Sequence, residues 1–160
     1  MSSQSFYRVL MFLALLSGLL VSGALADQIS PGQDERCPVC GMGVAPYPNW
    51  VSVVTFSDGE RVFFDGPKDL FRFIFGLKTY RPEKSSEDIA EVQVTEYYST
   101  RLTDAKEVYF IVGSDIRGPM PNELVAVAGK QNAEAFLKDH GGESILVFDG
   151  HDLNKVVAGE

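Results

Sequence analysis

The sequence predicts an α+β fold with a mostly antiparallel sheet, and three observations lead there. Stretches rich in β-branched and aromatic residues lie close together around short turn sequences, as at 50–56 and 61–65, which is hairpin spacing. Helical apolar periods are confined to 67–77 and 132–140, and no Gly-rich phosphate loop follows any strand. Parallel sheets need repeated helical crossovers, so hairpins with segregated helices argue against a doubly wound nucleotide fold.

The chain opens with Arg8 and an uncharged run to Ala26, dominated by Leu, Val, Ala and Phe and ending in Ala24-Leu25-Ala26 before Asp27. That small-x-small ending is what a signal peptidase cuts, so residues 1–26 are expected to be an export signal. Uncleaved, the run is just long enough to span a bilayer, so membrane attachment is expected only if the leader is retained. No cysteine follows the cleavage point, which leaves no lipid-modified N-terminus. Residues 27–36, polar and broken by Pro31 and Gly32, read as a flexible lead-in, and 37–160 as a single domain of ordinary size.

Within that domain, strand 50–56, the turn Ser57-Asp58-Gly59-Glu60 and strand 61–65 form a hairpin. Pro67 suits the first position of a helix with Leu70, Phe71, Ile74, Phe75 and Leu77 on one face. Strands at 89–98 and 107–112 follow, then a long loop, 113–122, that holds Met120 between Pro119 and Pro121. A strand at 124–128 precedes a helix capped by Asn132, which runs to His140 and is stopped by Gly141-Gly142. A strand at 144–149 and a short helix after Asp152 complete the chain. Strand-strand-helix occurs at 50–77 and again at 109–140, which suggests two related halves.

A formal net charge of −8, one unit more negative without Arg8, repels phosphate backbones and anionic lipid, so nucleic acid is excluded as a partner. No Gly-x-Ser-x-Gly elbow or paired-histidine zinc helix occurs, and nothing demands an enzyme.

The chemistry concentrates in Cys37-Pro38-Val39-Cys40-Gly41-Met42, which holds both cysteines of the chain. Two soft thiols and a thioether within six residues point to a metal, and the thioether points to copper(I), which accepts low coordination where zinc and iron(II) do not favour sulfur ethers. Gly41 permits a positive φ, so backbone N–H groups can turn toward the sulfurs. Zinc knuckles usually need a second pair of cysteines; here Met42, Met120, His140, His151, a carboxylate or a partner must complete the site. A thiol-disulfide oxidoreductase and a small-ring structural disulfide are the competing readings. Redox pairs sit at a helix N-terminus, however, and Gly-Met-Gly-Val-Ala-Pro-Tyr-Pro cannot continue as a helix. His140 also reads as a helix C-terminal histidine. Asp65 and Asp69 flank a helix start, where they can cap it or complement its dipole, and are assigned no catalytic role.

Cys37-Pro38-Val39-Cys40-Gly41-Met42, Asp58-Gly59, Phe63-Phe64-Asp65 with Lys68-Asp69-Leu70-Phe71, Asp104-Ala105, Val112-Gly113-Ser114, Gly118-Pro119-Met120, Glu123-Leu124-Val125 and Asp139-His140-Gly141-Gly142 together resemble the NosL family, accessory proteins of nitrous oxide reductase assembly. The resemblance implies two strand-strand-helix halves, similar to the organomercurial lyase core, and a periplasmic copper(I) metallochaperone. Its metal ligands would come from Cys40, Met42 and Met120, then Cys37 and His140, and its partner would be a copper-enzyme maturation complex or apo-enzyme. The chain departs from the family in lacking the lipoprotein cysteine, in having Phe64-Asp65 where many members have a further cysteine, and in carrying Pro121 after the loop methionine.

Overall fold

The computed structural model describes residues 29–156; the expected export signal lies outside the described residues. Residues 31–156 belong to one compact unit built from two four-stranded antiparallel sheets. No described helix is long and apolar enough to cross a membrane.

The first half comprises β1 (Ser52–Phe56), β2 (Arg61–Phe64), α1 (Pro67–Phe75), the short α2 (Leu77–Tyr80), β3 (Ile89–Thr95) and β4 (Leu102–Asp104). The second comprises β5 (Val108–Val112), β6 (Val125–Ala128), α3 (Lys130–Asp139), β7 (Ser144–Phe148) and β8 (Leu153–Lys155). Sheet order is β2-β1-β3-β4 in one and β6-β5-β7-β8 in the other, so each half is the same ββαββ unit with its first strand in the interior of the sheet. The two expected halves are present, each longer by a second hairpin than strand-strand-helix.

Hairpin chemistry sets the registers. Val53 pairs with Phe63 across β1 and β2, and Phe110 with Ala126 across β5 and β6. The expected helix after Asp152 is instead β8, which pairs with β7. The cause is Asp149: its Oδ1 accepts the N–H groups of His151 and Asp152, both at 2.8 Å, and its Oδ2 accepts Asn154 Nδ2 at 2.7 Å, so the chain turns back on itself.

The apolar face of α1 also differs from expectation. Leu70, Phe71, Phe73 and Leu77 are buried, Ile74 is half-buried, and Phe75 is 51% exposed. α1 is enclosed from two sides, which selects Phe73 over Phe75: Phe73 meets Phe64 of β2 at 5.1 Å between ring centroids, while Phe71 meets Phe110 at 5.0 Å and Phe148 at 5.1 Å on the second sheet. In α3 the helix starts at Lys130 after Gly129, and Asn132 bonds back to Ala128 O rather than capping it. Its Phe136 is buried among Ile111, Val125, Val127 and Ile145 and meets Tyr97, which follows β3, at 5.0 Å.

Two buried glutamates tie the halves by hydrogen bonds. Glu96, just past β3, accepts the N–H groups of Ser99 at 2.7 Å and Ala128 at 3.2 Å. Glu123, just before β6, accepts the N–H of Lys68 at 2.7 Å and of Leu124 at 3.1 Å. Lys68 is the second residue of α1, so a carboxylate from the second half satisfies one of the open donors at the helix start of the first. It lies between two glycines: a Cβ on Gly66 would come within 2.6 Å of Glu123 Oε2, and one on Gly118 within 2.7 Å of its Cβ.

Candidate metal centre

The cysteine segment folds as a knuckle rather than a helix start. Cys37 N–H donates to Met42 O and Gly41 N–H to Cys37 O, both at 2.8 Å, and Arg36 bridges Gly43. Gly41 sits at φ 78°, the left-handed turn that only glycine adopts without strain. The turn brings the N–H groups of Cys40 and Val39 to Cys37 Sγ and that of Met42 to Cys40 Sγ. Both cysteines are free thiols, Cys37 buried and Cys40 half-buried.

Facing the knuckle are Asp65, the residue after β2, and Asp69, in the first turn of α1. Cys37 Sγ donates to Asp69 Oδ2 at 3.5 Å, and Cys40 Sγ to Asp65 Oδ1 at 3.4 Å and Oδ2 at 3.5 Å. One donor atom from each of the four residues lies within 4.8 Å of the other three, which is the size of a metal's first coordination sphere. Asp65 is 0% and Asp69 1% exposed, and Asp69 Oδ1 has no hydrogen-bond partner, with Arg72 Nη1 4.0 Å away. Burying two carboxylates beside thiols, with only a guanidinium 4.0 Å from Asp69 to balance them, is costly unless protons or a cation occupy the space between them.

Burial pushes the Cys40 thiol up to about 11, and the neighbouring Asp69 and Asp65 carboxylates add to the rise against the Met42 N–H. Cys37 rises further, again chiefly through burial, with the N–H groups of Cys40 and Val39 pulling it down and Asp65 pushing it up. Without metal the pair therefore rests protonated at neutral pH, and a metal ion must displace those protons to bind. Glu123, behind Asp65, is pushed up to about 7 by burial, against the N–H groups of Lys68 and Leu124 and with the charge of Asp65 raising it.

Of the five residues read from sequence as ligands, Cys37 and Cys40 are brought together, and Met42 is half-buried in the same turn. Met120 lies on the 114–122 loop, which lines a cavity of 420 Å³. That loop is fastened to α1, because Lys68 Nζ donates to Pro121 O and Glu123 accepts the Lys68 N–H. His140 is held at the end of α3, its Nδ1 2.9 Å from Asp115 Oδ1 and its ring 4.2 Å from that of Phe136; the four-residue group does not include it. Asp65, Asp69 and Glu123 were not read as part of the site. The available signal was two acids between the apolar pairs Phe63-Phe64 and Leu70-Phe71, where Gly66 already precedes the helix and leaves Asp65 no helix to cap.

Fold and site together define the class: an α+β protein of two ββαββ units with a buried dithiol-dicarboxylate centre at the end of the first. The NosL family profile matches residues 28–154, and the chain belongs to the NosL family. The crystal structure of the copper chaperone NosL from Shewanella denitrificans superposes with a TM-score of 0.63 and 22% identity, covering 76% of this chain and 92% of that one. No curated protein matches the sequence.

Proposed function

We propose that this protein is an exported, periplasmic copper(I)-binding accessory protein that captures the ion at Cys37 and Cys40 and passes it to a copper enzyme or its maturation complex, nitrous oxide reductase being the client the family suggests. One observation carries the reading: two thiols, one buried and one half-buried, are held side by side by a preformed turn. Family membership and the solved copper chaperone of the same fold support it. Met42, in the same turn, and Met120, on the loop fastened to α1, are the thioethers proposed to complete a two- or three-sulfur site. Asp65 and Asp69, already bonded to the thiols, are the nearest acceptors for the displaced protons. Low coordination leaves the ion open to attack by a partner's sulfur or imidazole, so transfer proceeds by ligand exchange, and the protein acts as a carrier rather than a catalyst.

The thiol-disulfide oxidoreductase reading has two specific observations against it: the pair opens into a turn rather than a helix, and burial raises both thiols. Chelator competition for copper(I) under reducing, anaerobic conditions, run beside a disulfide-exchange assay, separates the two. Copper(I) binding at one equivalent, weakened by Met120→Leu with exchange at background, is expected. Exchange activity that depends on Cys37, with no copper(I) retained, would overturn the proposal.

A further inference from the structure

We infer that the outer stripe of α1, formed by Lys68, Arg72 and Phe75 and continued by Lys78 of α2, docks an acidic protein surface that carries an apolar socket, and that this partner is the copper(I) acceptor. The docking surface stands on its own observations; the partner's role as acceptor rests on the reading that the cysteine pair carries copper(I). Position is the first argument. Spacing of i, i+4 and i+7 puts Lys68, Arg72 and Phe75 on one side of α1, while Asp69, Leu70, Phe71 and Phe73 are buried on the others. The Arg72 side chain is 63% exposed and Phe75 is 51% exposed.

Charge is the second. The chain carries a formal net charge of −8, yet residues 67–82 hold four bases, Lys68, Arg72, Lys78 and Arg81, and one acid, Asp69, which is 1% exposed. Arg81 is paired with Glu60 at 3.3 Å, but Lys78 donates to the carbonyl oxygens of Pro82 and Lys84 at 3.3 and 2.9 Å, neutral groups that leave its charge in place. A basic stripe on an acidic molecule matches a local acidic patch of the same size on another protein. An anionic bilayer is an extended plane that would also meet, and repel, the acidic surface around the stripe. The third argument is Phe75 itself. Its ring lies on that of Phe71, 5.8 Å away and tilted by 20°, so it extends the aromatic core outward between the cations and has no polar atom for water to satisfy. An aromatic flanked by arginine and lysine is the composition of an interface anchor with a polar rim.

The stripe also starts at the metal centre. Asp69, bonded to Cys37, precedes Phe75 by six residues, about 9 Å along the helix, and Lys68 holds the loop that carries Met120. A partner seated on Phe75 therefore brings its own donor groups alongside the sulfurs, which is the proximity that ligand exchange requires.

The test places a photo-crosslinking amino acid at position 75 of the full chain in its native cells, with position 98 as control, because Tyr98 is the other exposed large aromatic, at 60%. Position 75 is expected to capture one protein through an acidic segment, well above the yield at position 98. That protein, purified, is then titrated with the reduced chain. Its affinity should fall at least about 10-fold for Phe75→Ser, about fivefold for Lys78→Glu, and steadily with added salt, while Tyr98→Ser changes nothing. All three variants should bind copper(I) as wild type does, which shows them folded, and Phe75→Ser should slow passage of copper(I) to the captured protein. No photoproduct at position 75, an equal yield at position 98, capture of lipid or of a second copy of this chain, or binding indifferent to Phe75→Ser and to salt overturns the inference. A captured protein that meets the binding criteria but takes no copper(I) overturns the acceptor assignment. Failure of wild type to bind copper(I) sinks the copper reading and leaves the docking surface to be judged on the binding data alone.

Discussion

The two halves share one backbone plan and differ at the point where α1 and α3 begin. Each helix follows a glycine, Gly66 or Gly129, and three residues into each stands Asp69 or Asn132. In the first half Asp69 is buried and bonded to Cys37; in the second Asn132 is exposed and turns back to Ala128 O. The residue before the glycine is Asp65 in one half and Ala128 in the other. No cysteine knuckle precedes β5. The repeat supplies a strand end and a helix start on which side chains can be placed, and chemistry is written onto only one copy.

The comparison can be broken most sharply at the knuckle. Cys37→Ser with Cys40→Ser should lower copper(I) affinity at least about 1,000-fold, roughly 4 kcal/mol, by chelator competition, because the second half offers no equivalent thiols. Retention of affinity would mean that the centre lies elsewhere.

The glutamates that cross between the halves sharpen it next. Burial holds the folded-state acidity of Glu123 at about 7, above its ordinary 4.5, so the folded state binds a proton that the unfolded state has released. Its contribution is fully present below about pH 4.5 and is lost as pH rises through about 7, a change of about 3 kcal/mol. Glu123→Gln should remove that slope from the difference between denaturation curves measured across this window. In Glu96 burial also pushes the pKa up, but the N–H groups of Ser99 and Ala128 more than offset it and hold the carboxyl below its usual range. Its contribution is present above the ordinary carboxylate range and is lost as pH falls through the lowered value. Glu96→Ala should cost about 2 kcal/mol at neutral pH by urea denaturation.

The smallest effect is expected at Asn132. Asn132→Asp gives the second helix the residue of the first, yet with no thiols opposite it should add no metal equivalent and shift stability by less than about 0.5 kcal/mol. A new equivalent by metal analysis would show that the carboxylate, and not the knuckle, makes the site.

Most of the frame was legible because hairpin turns and helix starts are local. Ser57-Asp58-Gly59-Glu60 and Gly66-Pro67 place β1, β2 and α1 without reference to the rest of the chain. The knuckle was legible for the same reason, since Gly41 and the cysteine spacing fall within one turn. What escaped depends on tertiary enclosure. Phe73 rather than Phe75 is buried because α1 is packed on two faces, and β8 replaces a helix because Asp149 captures three donors after it. Asp65 and Asp69 look like ordinary helix-start acids until the knuckle, about 30 residues earlier, folds over them. Glu123 is joined to the helix it serves only through a contact 55 residues long in sequence.

X-ray absorption at the copper edge of the copper(I)-loaded protein addresses the central claim most directly. Two or three sulfur scatterers, reduced in number when Cys40 is replaced by Ser, are predicted; a first shell of nitrogen and oxygen alone, or a spectrum indifferent to that substitution, would contradict it.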